Sequence, residues 1–112
     1  MNPIIRSIRV FSTSEEALSQ IFQANRNLAH LHLYMSPQLL ELPSLPNQLT
    51  YLHIGNCRAL TSLPKLPTSL RRLVVHNCPR LLRLPELPER LVSIAVDIDV
   101  AYNLIANNIP KY

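Results

Sequence analysis

Glycine is almost missing from this 112-residue chain: Gly55 stands alone against ten prolines. That scarcity excludes a Gly-rich, phosphate-cradling loop and the nucleotide chemistry such loops serve. No long apolar run occurs, so no segment reads as a membrane span. Charged residues make up only 16%, and a net charge of +4 is too small and too divided along the chain to argue for nucleic acid. The opening stretch MNPIIRSIRVFSTSEE has arginines within its apolar part and no small-residue cleavage site, which argues against a signal peptide. Cysteine is limited to Cys57 and Cys78, and without an export signal a disulfide between them is not expected. The apolar fraction of 47% is that of a folded chain, and the length suits one domain over residues 1–112.

What the chain does have is an internal repeat. LPSLPNQLTYLHIGNC from Leu42, LPKLPTSLRRLVVHNC from Leu63 and LPELPERLVSIAV from Leu84 share one skeleton, each starting 21 residues after the last. Six of the ten prolines belong to it: Pro43, Pro46, Pro64, Pro67, Pro85 and Pro88. Within each unit L-x-x-L-x-L-x-x-C recurs, as Leu49, Leu52, Ile54, Cys57 and as Leu70, Leu73, Val75, Cys78. Alternation at the paired apolar positions is the period of a strand with one buried face. Stepping by the same interval extends the column to Leu28, Leu31, Leu33, Ser36 and to Leu91, Ile94, Val96, Asp99, and a first copy at Ile5, Ile8, Val10, Thr13 precedes them. Five strand units are therefore predicted, near 4–11, 28–34, 49–55, 70–76 and 91–97.

The segments between strands are of two kinds. After the first strand, Thr13 and Glu16 have capping-box spacing, and Ala17, Leu18, Ile21 and Phe22 form one apolar face, predicting a helix near 14–25. The middle returns read L-x-x-L-P-x-L-P, where proline disfavours helix and biases its predecessor toward extended backbone. After the fifth strand, Asp99 is placed to cap a closing helix near 100–108, with Ala101, Leu104 and Ile105 facing inward.

The recurring L-x-x-L-x-L-x-x-C strand with L-P-x-L-P returns resembles leucine-rich repeat proteins, over roughly residues 5–99. The returns are similar to those of secreted bacterial leucine-rich repeat effectors, some of them ubiquitin ligases, and to the repeat regions of plant immune receptors. The resemblance implies an α/β solenoid: a short right-handed superhelix with a concave parallel β-sheet, proline-rich extended returns on the convex side, and a helix in the first and last units. It implies a protein–protein interaction module, either a host-directed effector or a recognition domain. The alternative is the substrate-recognition part of a ubiquitin ligase or other enzyme whose catalytic part is separate. Cys57 is followed by RA and Cys78 by PR, not by the C-x-D context of the ligase family, so the chain itself is not expected to be an enzyme. A location in the cytoplasm, or inside a host cell reached without a conventional signal peptide, follows from the same resemblance.

In such a solenoid the side chains alternating with the core column line the concave face. There the sequence collects all four histidines, with tyrosines and arginines: Arg9, His30, His32, Tyr34, Tyr51, His53, Arg71, Arg72 and His76 are the candidate partner-binding residues. Aromatic and arginine enrichment marks interface surfaces, and the near absence of acidic residues before Asp97 points to a protein partner with an acidic segment. His30, His32 and His53 come close if adjacent strands lie about 4.8 Å apart. A flat outward column supplies neither cavity nor carboxylate, however, so no metal or other cofactor is expected. The same histidines lack a buried orienting carboxylate for nucleophilic catalysis. The cysteines occupy a position at the strand end whose work is to satisfy loop amides.

Overall fold

The computed structural model describes residues 5–97. Among them the elements run β1 (Ser7–Phe11), α1 (Glu15–Ala24), β2 (His30–Tyr34), β3 (Tyr51–Gly55), β4 (Arg72–His76) and β5 (Ser93–Val96). The five strands form one parallel sheet in chain order, an α/β arrangement with a single helix among the described residues. The expected closing helix near 100–108 and the Asp99 position lie outside the described residues.

Register follows the apolar column. Ile8, Leu31, Leu52, Leu73 and Ile94 pair across the sheet, as do Val10, Leu33, Ile54, Val75 and Val96. In β2, β3 and β4 these positions are buried while their neighbours, the buried Gly55 excepted, reach solvent. A slip of one residue would send His32 and His53 into the core and the leucines out, so the pairing is strongly specified.

Each of β2 to β5 begins two residues later than the sequence pattern suggests. The reason is a shared acceptor at the strand entry. The Arg6 carbonyl accepts from the amides of both Ala29 and His30, Ala29 from Thr50 and Tyr51, Thr50 from Arg71 and Arg72, and Arg71 from Val92 and Ser93, all within 3.1 Å. Regular ladder alternation stops there, although Leu28, Leu49 and Leu70 just upstream remain buried.

At the strand exits Ser12, Met35, Asn56 and Asn77 all have positive φ, between 48° and 57°, which turns the chain sharply out of the sheet. The next position carries a ladder of acceptors. Ser36 Oγ accepts from the Thr13 amide at 3.0 Å, the Cys57 sulfur from the Ser36 amide, and the Cys78 sulfur from the Cys57 amide. The Cys78 amide donates to Asp97 Oδ2 at 3.3 Å, so Asp97 fills the last described rung and is turned away from the outer face on which the sequence placed it. Both thiols are free and buried.

The helix is capped by Ser14, not Thr13: Ser14 Oγ accepts from the Ala17 amide at 3.1 Å. The Thr13 amide donates to Ser36 and its hydroxyl to the Ser14 carbonyl at 3.3 Å, so the cap moves by one residue and Glu16 falls outside a capping box. Glu15 and Glu16 still face the positive helix end. Leu18 and Phe22 bury the inner face, and Asn25 closes the helix by donating Nδ2–H to the Ile21 carbonyl at 2.9 Å.

The proline-rich returns contain no helix among the described residues. Each begins and ends with a tight turn: the amides of Leu39, Leu60 and Leu81 reach back three residues to Ser36, Cys57 and Cys78, and those of Leu49, Leu70 and Leu91 to Pro46, Pro67 and Pro88. Proline carbonyls accept normally, so a residue that cannot donate costs these turns nothing. Leucines from the returns join those of the strands in one continuous core.

Candidate binding face

On the outer side of the sheet, the pairing sets three rows. Ser7, His30, Tyr51, Arg72 and Ser93 form the first, Arg9, His32, His53, Val74 and Ala95 the second, and Phe11, Tyr34, Gly55 and His76 the third. Eight of the nine sequence-predicted residues thus share one face. Arg9, His30 and Arg72 are exposed, and His32, Tyr34, Tyr51, His53 and His76 are partly buried against one another. Arg71 precedes β4, yet its side chain still reaches the hollow between Tyr51 and Arg72.

The rings form a connected layer. His32 packs on Tyr51 with centroids 5.2 Å apart and on His53 at 5.7 Å, and His53 meets Tyr34 and His76 at 5.0 Å each. Tyr34 Oη lies 3.0 Å from Nδ1 of both His32 and His53. A phenol has one proton, so it donates to one imidazole and accepts from the other. His53 Nε2 is buried without a partner among the described residues. The assignment that leaves no buried N–H unpaired runs from His53 Nδ1–H to Tyr34 Oη and from Tyr34 O–H to His32 Nδ1, with Nε2 of His53 bare.

Protonating His53 would place a charged N–H on that shielded nitrogen. Its pKa is accordingly lowered, first by desolvation and then by His76 and His32. His32 is lowered by desolvation, then by Arg9 and His30. These two histidines therefore hold to the neutral form further into acid than an open surface column would allow, so an acid-strengthened contact through them needs a lower pH than the ordinary histidine range.

Two features of the face escaped sequence reasoning. A Cβ on Gly55 would lie 2.5 Å from His76 Nε2 and 3.1 Å from Tyr34 Cδ1, so the lone glycine makes the room in which those rings approach. Its place between Tyr34 and His76 in the third row is visible by stepping 21 residues. The second feature is relief: the face is not flat. His30, His32, Thr50, Tyr51, Arg71 and Arg72 surround a hollow of about 400 Å³. The sequence places Arg71 on the face, but strict alternation gives a flat column; the hollow arises because Thr50 and Arg71 enter it from the irregular strand starts.

Among the described residues no group of three or more His, Cys, Asp or Glu side chains could hold a metal ion. No described helix is long and apolar enough to cross a membrane. Comparison with protein-family models, curated proteins and solved structures returns no match for the chain.

Proposed function

We propose that the chain is a short leucine-rich repeat solenoid serving as a protein–protein interaction module, with the outer sheet face as its concave binding surface. The partner is a protein that presents an acidic segment, met by a recognition domain of the kind found in host-directed bacterial effectors. One observation carries the reading: Arg9, Arg72, Tyr51 and the four histidines crowd one sheet face, around a hollow lined by two arginines and no acidic residue. Aromatic and guanidinium groups supply binding energy through large contact area and directional donors. Here they stand on strands, whose side-chain positions are held by the leucine column beneath.

Affinity capture tests this with the wild type, a quadruple variant (His32→Ala, Tyr51→Ala, His53→Ala, Arg72→Ala) and two variants on the returns, Lys65→Glu and Glu86→Lys. Loss of the captured partner with the quadruple variant alone is expected. Unchanged capture by that variant, with loss on changing Lys65 or Glu86, would move the binding surface to the proline-rich side.

A further inference from the structure

The hollow on the outer face has a chemistry of its own. Arg71 and Arg72 bring two permanent positive charges to its rim, His30 and Tyr51 stand opposite, and no carboxylate is among its lining groups. Arg71 Nη1 is shut off from solvent and has no hydrogen-bond partner among the described residues. A guanidinium nitrogen sequestered in this way has lost its hydration without gaining an acceptor, an unfavourable state that turning the guanidinium onto an anion in the hollow would relieve. The described residues offer no internal remedy. Asp97 is tied to the Cys78 amide, and Thr50 Oγ1, which donates to the Ala29 carbonyl, makes no hydrogen bond to Arg71 Nη1.

We infer that this hollow seats a phosphate group carried by a serine or threonine side chain of the partner protein. The inference rests on the binding reading above and names the group that anchors it. Charge selects phosphate over carboxylate. A carboxylate balances one guanidinium, and docking would desolvate the second arginine without compensation. A phosphate monoester carries nearly two negative charges at neutral pH and has three terminal oxygens, enough to accept a fork of N–H groups from one arginine and further donors from the other. Arginine suits this task because its donors are planar and fixed, and the Arg71 group has already given up part of its hydration before the ligand arrives. The ring of Tyr51, held by His30 at 6.1 Å and His32 at 5.2 Å, gives the stem of the phosphorylated side chain an apolar wall.

Three degenerate peptide libraries, with phosphoserine, glutamate or serine fixed at the centre, test the assignment by titration into the isotope-labelled full chain, followed by NMR. The phosphoserine library should bind at least about tenfold more tightly than either other library, as expected for a two-arginine phosphate seat. The first amides to shift should be those of Tyr51, Arg71 and Arg72. Arg71→Ala and Arg72→Ala should each reduce phosphoserine binding to the level of the serine library. Arg71→Lys, which keeps the charge and the stem but not the fork, should retain part of it and serves as the folded control. Equal binding of the glutamate and phosphoserine libraries would overturn the phosphate assignment and leave the acidic-partner reading in place. Failure of the phosphoserine library to bind, or indifference to both arginine substitutions, would also overturn it. Shifts confined to the returns between β3 and β4 would overturn the binding-face reading as well.

Discussion

Four strand exits need a residue at positive φ, and the chain fills them with Ser12, Met35, Asn56 and Asn77. Asparagine visits that region at little cost, whereas most other L-residues pay about 1–2 kcal/mol for it. Met35 is 52% exposed and gains little burial in return, so Met35→Asn should stabilise the protein by about 1 kcal/mol in urea denaturation. An unchanged or lower midpoint would show that the Met35 side chain compensates for its backbone. One residue further on, the cysteines act through hydrogen bonding. With both thiols neutral, Cys57 donates to the Gly55 carbonyl at 3.6 Å and Cys78 to that of His76 at 3.5 Å. A Cys57 thiolate would take a hydrogen bond from the Cys78 thiol and then the Ser36 amide, which lowers its pKa to about 7 against the opposing effect of burial; the same coupling, with burial, pushes Cys78 up. Cys57→Ala removes the acceptor for a buried amide and should cost about 1–3 kcal/mol beyond the lost packing. Cys57→Ser should be the milder change, because Ser36 already fills the equivalent rung. Both thiols should resist alkylation under native conditions despite the lowered Cys57 pKa, since neither is accessible. Rapid modification of either, followed by mass spectrometry, would contradict that.

Between β2 and β3 the layer of His32, Tyr34 and His53 makes stability depend on pH, and the sign is fixed. Both histidines have folded pKa values below the ordinary 6.5, so the unfolded chain takes up their protons first as pH falls. Their contribution is fully present above about pH 6.5 and is lost as pH drops through the folded values. Melting temperature should therefore fall on acidification below that point, and the fall should be shallower in His32→Gln, His53→Gln; an equal slope in that variant would place the titration elsewhere. Gly55→Ala tests the same layer from the other side. The close contact is the far end of the His76 ring, which can rotate away, so the fold should survive while the His53–His76 stack is lost and the His76 ring resonances move. How far these elements were legible depends on what each obeys. The core columns and the outer rows follow period-2 alternation and a 21-residue step, both written in side-chain type. The strand starts and the helix cap depend on where individual amides find acceptors. Thr13 and Ser14 look interchangeable as caps until the Thr13 amide is seen to reach Ser36 and its hydroxyl the Ser14 carbonyl. Arg71 was legible as a face residue, but the hollow it shapes with Thr50 was not, because both enter from irregular strand starts that alternation cannot describe.

Across the whole molecule, burial is graded along the sheet. Leu31, Leu52 and Leu73, at equivalent positions in β2, β3 and β4, are fully buried, whereas Ile94 in β5 is 37% exposed and Val92 just before it is 76% exposed. The first strand is closed differently: α1 lays Leu18 and Phe22 into the core, and Val10 is buried. A sheet built in chain order gives every inner strand two partners and each edge strand one, so the described edge at β5 has fewer neighbours and less apolar cover than the centre. Opening free energy should follow that gradient, since local stability tracks buried contacts and shielded hydrogen bonds. In native-state hydrogen exchange, the amides of Leu52 and Ile54 should be among the slowest, and those of β5 should exchange well before them. Substitution should give the same order. Leu52→Ala removes a side chain with no solvent exposure and should cost about 2–5 kcal/mol, while Ile94→Ala, already partly wetted, should cost about 1–2 kcal/mol. Equal costs at the two positions, together with uniform protection across the five strands, would mean that the sheet opens only as a whole and that its β5 edge is as firmly held as its centre.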